Sequence, residues 1–525
     1  MSCEKTTRRR WLQRAAAAPA FLTMLRCGSE PPRRPNILFC FADDQSWPHA
    51  GAYGDGVVET PAFDRVAREG VLFTRSYTAC PSCTPSRSAV LTGRHIWQVE
   101  EGGVLYGQLS PKYPLVTHLL EDAGYHAGYT GKPWGPGNWQ AGGLTRHPNG
   151  KEYNARKLEA PAGIDARDYA ANFDDFLAER PEGQPFFFWF GSTEPHRVYG
   201  KGFGKQSGKN PNDVEVPSYW PDEEEIRNDI LDYYFEIEWF DRHVGRMLVR
   251  LEELGELDNT IVVVTSDNGM PFPRAKVNLY EAGVHMPLAV RWGERVAGGR
   301  TVDDFVSHID FAPTFLEAAG IGVPAEVTGR SLMPQLTATA QGIIDAARDH
   351  ALTGFERHTM CRPDGATYPM RSIRTAEYLY IRNFEPERWP TGGAEFVSSN
   401  KTYHGDVDAC PTKEFMTGPV NQRRFPRQYE LCFGKRPEEE LYRIADDPDQ
   451  INNLGGDPAY AAAKQQLWSR LSDELQATGD PRMQGQDPWQ GYVYHQTTGF
   501  GASFNRGLAQ QERGEAEGRG SHKPE

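Results

Sequence analysis

Two stretches constrain this chain more than anything else in it. "PNILFCFADD" (35–44) and "TIVVVTSDNG" (260–269) are unbroken apolar runs that end in carboxylates and an amide. An uninterrupted run, rather than an alternating one, reads as a strand buried on both faces, the kind found in a parallel sheet covered by helices. "QPFFFWFGSTEPHR" (184–197) repeats the design and runs into a loop. Helical spacing lies between them: "TPAFDRVAREG" (60–70), with Pro61 near its start and Gly70 at its end, "LVTHLLEDAGY" (115–125), and a long segment over 223–255. This alternation predicts an α/β domain with a large, mostly parallel central sheet flanked by helices. Ligands of such sheets bind beyond the carboxyl ends of the strands. Asp43, Asp44, Asp267, Asn268 and the stretch 194–197 all fall there.

After about Pro334 the texture changes. "YPMRSIRTAEYLYIRNF" (368–384) predicts a hairpin turning near Thr375–Glu377, "EELYRIADDPDQINNL" (439–454) a strand and a turn, and 457–477 a helix. The division expected is a leader and linker over 1–34, a catalytic domain over 35–349, a smaller α+β region over 350–495, and a tail over 496–525. The end of that tail, rich in Gly, Glu and Arg, is expected to be disordered.

The net charge of −14 argues against a nucleic-acid partner and requires any anionic substrate to meet a local basic pocket. "TTRRRWLQR" sets Arg8 and Arg9 before Trp11 and Leu12, and an Ala-rich apolar run follows over 15–25. That order resembles a twin-arginine export signal. It predicts passage through the twin-arginine translocase to the periplasm or the extracellular space. Lipid anchoring at Cys27 is disfavoured by Arg26 just before it.

The four donors Asp43, Asp44, Asp267 and Asn268 make a hard oxygen set that suits calcium, or less well magnesium, rather than zinc. Either strand end alone would read as turn chemistry. Two such ends in one sheet, with a cysteine motif between them, favour a site. That motif is "CPSCTPSRSAVLTGRH" (80–95). Eight cysteines in 525 residues make no disulfide scaffold, and the C-x-x-C of Cys80 and Cys83 has no second pair at zinc-ribbon spacing. Pro85 predicts a helix running to Gly93, which puts Cys83 just ahead of a helix N-terminus and Arg87 one turn on.

"CTPSRSAVLTGR" resembles the type I sulfatase signature, C-x-P-S-R followed by L-T-G. "NILFCFADDQ", "GYTGKPWGPG", "STEPHR", "TSDNGMPFPRAKVNLYEAG" and "ELYRIADDPDQINNL" resemble further family elements in the family's order. The resemblance covers about 35–480, and "SDNGMPFP" and "YPMRSI" are similar to the heparan N-sulfatase (sulfamidase) branch and its bacterial relatives. It implies an alkaline phosphatase-like fold, bound calcium, and oxidation of Cys83 to formylglycine by a formylglycine-generating or sulfatase-maturing enzyme. Hydrated formylglycine carries two hydroxyls on one carbon. One attacks sulfur and the other lets the sulfated residue collapse to the aldehyde, an exit that a serine sulfate lacks.

The resemblance further implies that Cys83 joins the four oxygen donors on the metal and that Arg87 holds the formylglycine hydroxyl. Lys132 and Lys276 would grip sulfate oxygens. Two positions depart from the family: Trp134 and Thr193 stand where histidines are expected. His196 is then the candidate for protonating the leaving group. Trp134, Arg197, Arg274 and His358 are taken as substrate contacts, with a core role open for Trp134 and a structural one for His358. The expected activity is release of sulfate from esters or sulfamates of a sulfated saccharide. The alternatives are a phosphodiesterase or phosphonate monoester hydrolase of the same superfamily, and a sulfoglycan-binding protein without turnover.

Overall fold

The computed structural model describes residues 33–393 and 403–496. The export-signal residues Arg8, Arg9 and Cys27 and the tail from 497 onward lie outside the described residues.

Among the described residues, nine strands form one sheet and four form a second. The first comprises β1 (Asn36–Ala42), β2 (Val71–Tyr77), β3 (His126–Gly131), β4 (Lys151–Glu152), β5 (Phe186–Gly191), β6 (Thr260–Ser266), β7 (His285–Arg291), β8 (Arg300–Val302) and β9 (Val306–Ser307). Its order is β4-β3-β5-β1-β6-β7-β2-β8, with β9 also on β2. β1 lies parallel between β5 and β6, Phe39 opposite Trp189 and Val263, and only β7 runs against its neighbours.

The unbroken apolar runs are explained by burial on both faces. Ile37, Phe39 and Phe41 pack with Phe187, Trp189, Phe311 and Phe315 on one side of the sheet. Leu38, Cys40 and Ala42 pack with Phe188, Phe190, Phe240 and Met247 on the other. Each large apolar side chain removed from water in these two layers contributes about 1.5–3 kcal/mol. The 30-residue helix Glu224–Glu253 covers the second face, and the helices Pro61–Glu69 and Tyr169–Glu179 pack against it.

The second sheet is antiparallel: β10 (His350–Phe355), β11 (Met370–Thr375), β12 (Tyr378–Asn383) and β13 (Glu439–Arg443). The turn between β11 and β12 falls where the sequence predicts it. The helix Ala461–Ala477 packs on β11 and β12. The two sheets meet in a shared apolar cluster that includes Tyr77, Cys80, Phe355, Ile373 and Leu471. Gly354 N donates to Ala79 O at 3.1 Å, and Thr353 Oγ1 to Thr78 O at 3.1 Å. The second sheet therefore sits next to the stretch that leads into Cys83. No helix among the described residues is long and apolar enough to cross a membrane.

Candidate active site

Four neighbouring parallel strands, β3, β5, β1 and β6, deliver the chemistry at their carboxyl ends. Lys132 follows β3, the 192–197 loop follows β5, Asp43 and Asp44 follow β1, and Asp267 and Asn268 follow β6. Backbone and side chain zip the two acidic ends together: Asp267 N donates to Ala42 O, Asp44 N to Asp267 Oδ1 at 3.0 Å, and Gln45 N to Ser266 Oγ at 2.7 Å. Asp44 takes a left-handed φ of 77°, a conformation that costs a residue with a Cβ about 1–3 kcal/mol and turns its side chain toward Asp267 and Asn268.

The helix Cys83–Thr92 is buried throughout its length. Cys83 is its first residue, with Ser82 as N-cap, so the cysteine lies in the first turn rather than ahead of it as the sequence suggests. Pro85 is tolerated in that turn because the N–H it lacks would have no intrahelical acceptor. Ser86 Oγ donates to Asp267 O at 2.6 Å, and Thr78 Oγ1 to the same oxygen at 2.7 Å, which fixes the helix start on the end of β6. Gly93 ends the helix at φ 65°; a Cβ there would stand 2.7 Å from Val327 Cγ1. The pair in C-x-x-C is split: Cys80 lies in the apolar cluster between the sheets, and Cys83 Sγ lies 3.5 Å from Asp43 Oδ1. All six cysteines among the described residues are free and buried.

Arg87 Nε donates to Asp267 Oδ2 at 2.9 Å, and Nη1 donates to the carbonyls of Lys132 and Pro133 at 2.8 and 3.0 Å. It joins the carboxylate after β6 to the loop that carries Lys132. Nη2 stands 2.9 Å from Asp267 Oδ2 and 3.6 Å from Asp43 Oδ1 but completes no aligned hydrogen bond. Lys132 Nζ pairs with Asp43 Oδ2. Lys276 Nζ pairs with Asp44 Oδ2 at 2.7 Å and with Asp408 Oδ2 at 3.3 Å. The turn carrying Lys276 has positive φ at Arg274 (68°) and Val277 (62°), and Val277 N is tied to Pro81 O. His196 Nδ1 donates to Arg197 O at 2.7 Å, and Nε2 lies 3.8 Å from Asp44 Oδ2.

Burial sets the protonation pattern. It pushes the Cys83 thiol well up despite Lys132 and Lys276, so a plain cysteine here would stay un-ionised. Burial and the neighbouring Asp43 raise Asp267 to about 7. Burial would lower Lys132, but Asp43 outweighs it and lifts the ammonium to about 12. His358 is lowered to about 4 by burial and by Lys276.

Ligand atoms of Asp43, Asp44 and Cys83 lie within 4.8 Å of one another. Asn268 Nδ2 donates to Asp44 Oδ1 at 2.6 Å and to Gly269 O, while the buried Oδ1 has no hydrogen-bond partner. A buried acceptor left empty beside three carboxylates fits a hard divalent cation.

Three residues expected to bind substrate are committed elsewhere. Arg197 makes a two-pronged ion pair with Asp229 at 2.6 and 3.0 Å between the rings of Tyr199 and Phe272. Its function is to hold the loop whose carbonyl orients His196. Arg274 is buried over the Tyr280 ring and donates to the carbonyls of Leu431 and Gln450. Trp134 is core, its Nε1 donating to Ser88 Oγ at 2.8 Å. His358 does arrive from the second region, where its Nδ1 lies 2.8 Å from Ser82 Oγ at the helix cap. Asp408 was not legible beforehand: its ligand atom lies within 4.8 Å of those of Asp44 and His196, yet "HGDVDACPT" carries no motif that singles it out.

Residues 35–321 match the family model described as Sulfatase. The chain belongs to the sulfatase family. Residues 275–390 match a second model, N-sulphoglucosamine sulphohydrolase, C-terminal, which spans both sheets. N-sulphoglucosamine sulphohydrolase of Homo sapiens is 28% identical over 521 residues, covering 89% of this chain and 94% of its own. An ulvan-active sulfatase of Formosa agariphila is 25% identical over 502 residues, covering 86% and 76%. A protein solved in complex with its substrate D-glucosamine-2-N,6-O-disulfate has the same fold, with a TM-score of 0.60 at 21% identity, covering 87% of this chain and 100% of that one. This sulfatase is of type I, close to the sulfamidase branch, and is a sulfuric ester hydrolase resembling N-sulfoglucosamine sulfohydrolase.

Proposed function

We propose that this sulfatase removes sulfate from a sulfated saccharide, with N-sulfated glucosamine as the leading substrate, through a formylglycine made from Cys83 beside a bound calcium ion. The observation that carries this reading is the buried Cys83 thiol 3.5 Å from Asp43, among three carboxylates and an unpartnered Asn268 oxygen. Asp43, Asp44, Asp267, Asn268 and residue 83 would hold the cation. When bound, calcium and the aldehyde hydrate supply the acidified hydroxyl that a buried, un-ionised thiol cannot.

The chain's own residues do the rest. Lys132 and Lys276 meet the non-bridging sulfate oxygens, where clustered cations stabilise charge spreading over the transferring group. Arg87 holds Asp267 and the lysine loop in register and keeps one N–H for residue 83. His196, its ring held by the Arg197 carbonyl, presents Nε2 at the open side, where in its protonated, imidazolium form it would give the Nε2 proton to the leaving alcohol or amine. Export through the twin-arginine translocase after modification in the cytoplasm fits a residue 83 that is sealed once the chain has folded.

The test is sulfate release from heparan, chondroitin, fucan, ulvan and carrageenan oligosaccharides, beside turnover of 4-nitrophenyl sulfate and of a phosphodiester analogue. Release from N-sulfated glucosamine is expected. Release only from O-sulfated sugars overturns that substrate, and preference for the phosphodiester overturns the sulfatase reading.

A further inference from the structure

The site is sealed at one end and open at the other. Asp43 and Asp44 are at most 1% exposed and Lys276 is 3% exposed, whereas Lys132, His196 and Asp408 are 19%, 30% and 27% exposed. The sulfate end of a substrate therefore goes inward, and the ring that carries it meets the three exposed side chains. Two of these suit an anion or a leaving group. The third is a carboxylate, which repels the sulfate that must pass it.

Asp408 is held firmly in that position. Two residues earlier, Asp406 accepts from Thr359 N at 2.7 Å and from Arg362 Nη2 at 2.7 Å. Four residues later, Thr412 Oγ1 donates to Asp229 Oδ2 at 2.7 Å, the same carboxylate that fixes Arg197 and, through it, the His196 loop. Asp408 Oδ2 faces Lys276 at 3.3 Å but completes no aligned hydrogen bond with any described residue. A preorganised carboxylate at the mouth, with Oδ2 lacking a hydrogen-bond partner among the described residues, costs substrate attraction unless it recognises something.

We infer that Asp408 is a specificity-determining residue: it accepts hydrogen bonds from hydroxyl or N–H groups of the ring bearing the scissile sulfate, and its charge rejects a ring that carries a second sulfate. The enzyme then acts on singly sulfated rings, after another sulfatase class has removed the additional O-sulfate. This inference rests on the saccharide reading above.

The test is kcat/KM for N-sulfoglucosamine, D-glucosamine-2-N,6-O-disulfate and 4-nitrophenyl sulfate in the mature enzyme and in Asp408→Asn. The wild-type enzyme should prefer the singly sulfated sugar by about tenfold or more, the scale of one hydrogen bond to a charged group. Asp408→Asn should narrow that preference at least threefold and lower turnover of the singly sulfated sugar relative to the nitrophenyl ester. Asp408→Ser should move both ratios the same way, and melting temperatures near that of the wild type show that folded enzymes are being compared. Equal loss on all three substrates means that Asp408 acts only through Lys276 and overturns the inference, as does an unchanged mono-to-disulfate ratio. If wild-type enzyme turns over the nitrophenyl ester but neither sugar, the N-sulfoglucosamine reading falls, and the inference with it.

Discussion

Two of the buried charge clusters among the described residues differ in completeness. Between the second sheet and the C-terminal segment, Arg371 Nε donates to Asp480 Oδ2 at 2.6 Å and Nη2 to Glu356 Oε1 at 2.7 Å. Arg482 Nη2 closes the cluster on Glu356 Oε2 at 2.6 Å, and Arg482 N donates to Asp480 Oδ1 at 3.0 Å. All four carboxylate oxygens have donors, and the Arg371 guanidinium lies over Trp97 and Trp489. At the ends of β1 and β6, four carboxylates (Asp43, Asp44, Asp267, Asp408) face three cations (Arg87, Lys132, Lys276), and a buried amide oxygen has no donor. Buried charge is tolerated where partners complete it. Where they do not, the molecule is shaped for something that comes from outside.

The sharpest test of this difference is residue 83. Cys83→Ala should lower nitrophenyl sulfate turnover by about a thousandfold or more, the usual consequence of deleting a nucleophile. Cys80→Ala, three residues away in the apolar cluster, should keep most of it. Equal loss in both would return a redox pair to contention. The complete cluster should answer in stability instead. Arg371→Met removes one partner from each of two buried carboxylates and should cost about 3 kcal/mol in urea unfolding, with kcat/KM of the folded fraction near that of the wild type. A large change in kcat/KM would erase the distinction between the clusters.

Stripping divalent cations should lower both turnover and melting temperature, and calcium should restore both. The stabilisation at a hundredfold excess over Kd is about 2.7 kcal/mol, and Asp267→Asn should weaken the response. The smallest effect concerns a third way of burying a polar group. His308 packs against Phe41 and Phe311, and neither ring nitrogen has a hydrogen-bond partner. Burial lowers it to about 3. The unfolded chain takes up that proton near pH 6.5 while the folded chain does not, so this contribution is complete above 6.5 and is lost as pH falls toward 3. Between pH 6.5 and 5 it amounts to about 2 kcal/mol. His308→Leu should flatten the pH dependence of urea unfolding by that amount; an unchanged slope would show that His308 is not neutral in the folded state.

Much of the fold was legible because it is written in local pattern. The doubly buried β1 and β6, the helices Pro61–Glu69 and Glu224–Glu253, and the β11–β12 turn follow from apolar runs and their punctuation. The arginines were not. Arg197 and Arg274 sit in motifs beside the site, and only their partners, Asp229 at one and the Leu431 and Gln450 carbonyls at the other, reveal that they brace loops. Trp134 was ambiguous because an aromatic residue after a strand reads alike as core or as a sugar platform until its neighbours are known.

The sequence by itself determined which residue types stand at three strand ends: carboxylates after β1 and β6 and a histidine after β5, while Lys132 after β3 stood out only by the family resemblance. Those assignments need only a period of burial and a place where it stops. The tertiary structure alone decided that these ends converge, because the strand order β3-β5-β1-β6 is set by pairing between residues as far apart as Gly128 and Phe188, Phe39 and Trp189, and Phe39 and Val263. It also decided that Asp408, from the chain beyond β12, stands at the mouth. A carboxylate acquires a role from the charges around it, and those come from parts of the chain that no local pattern connects.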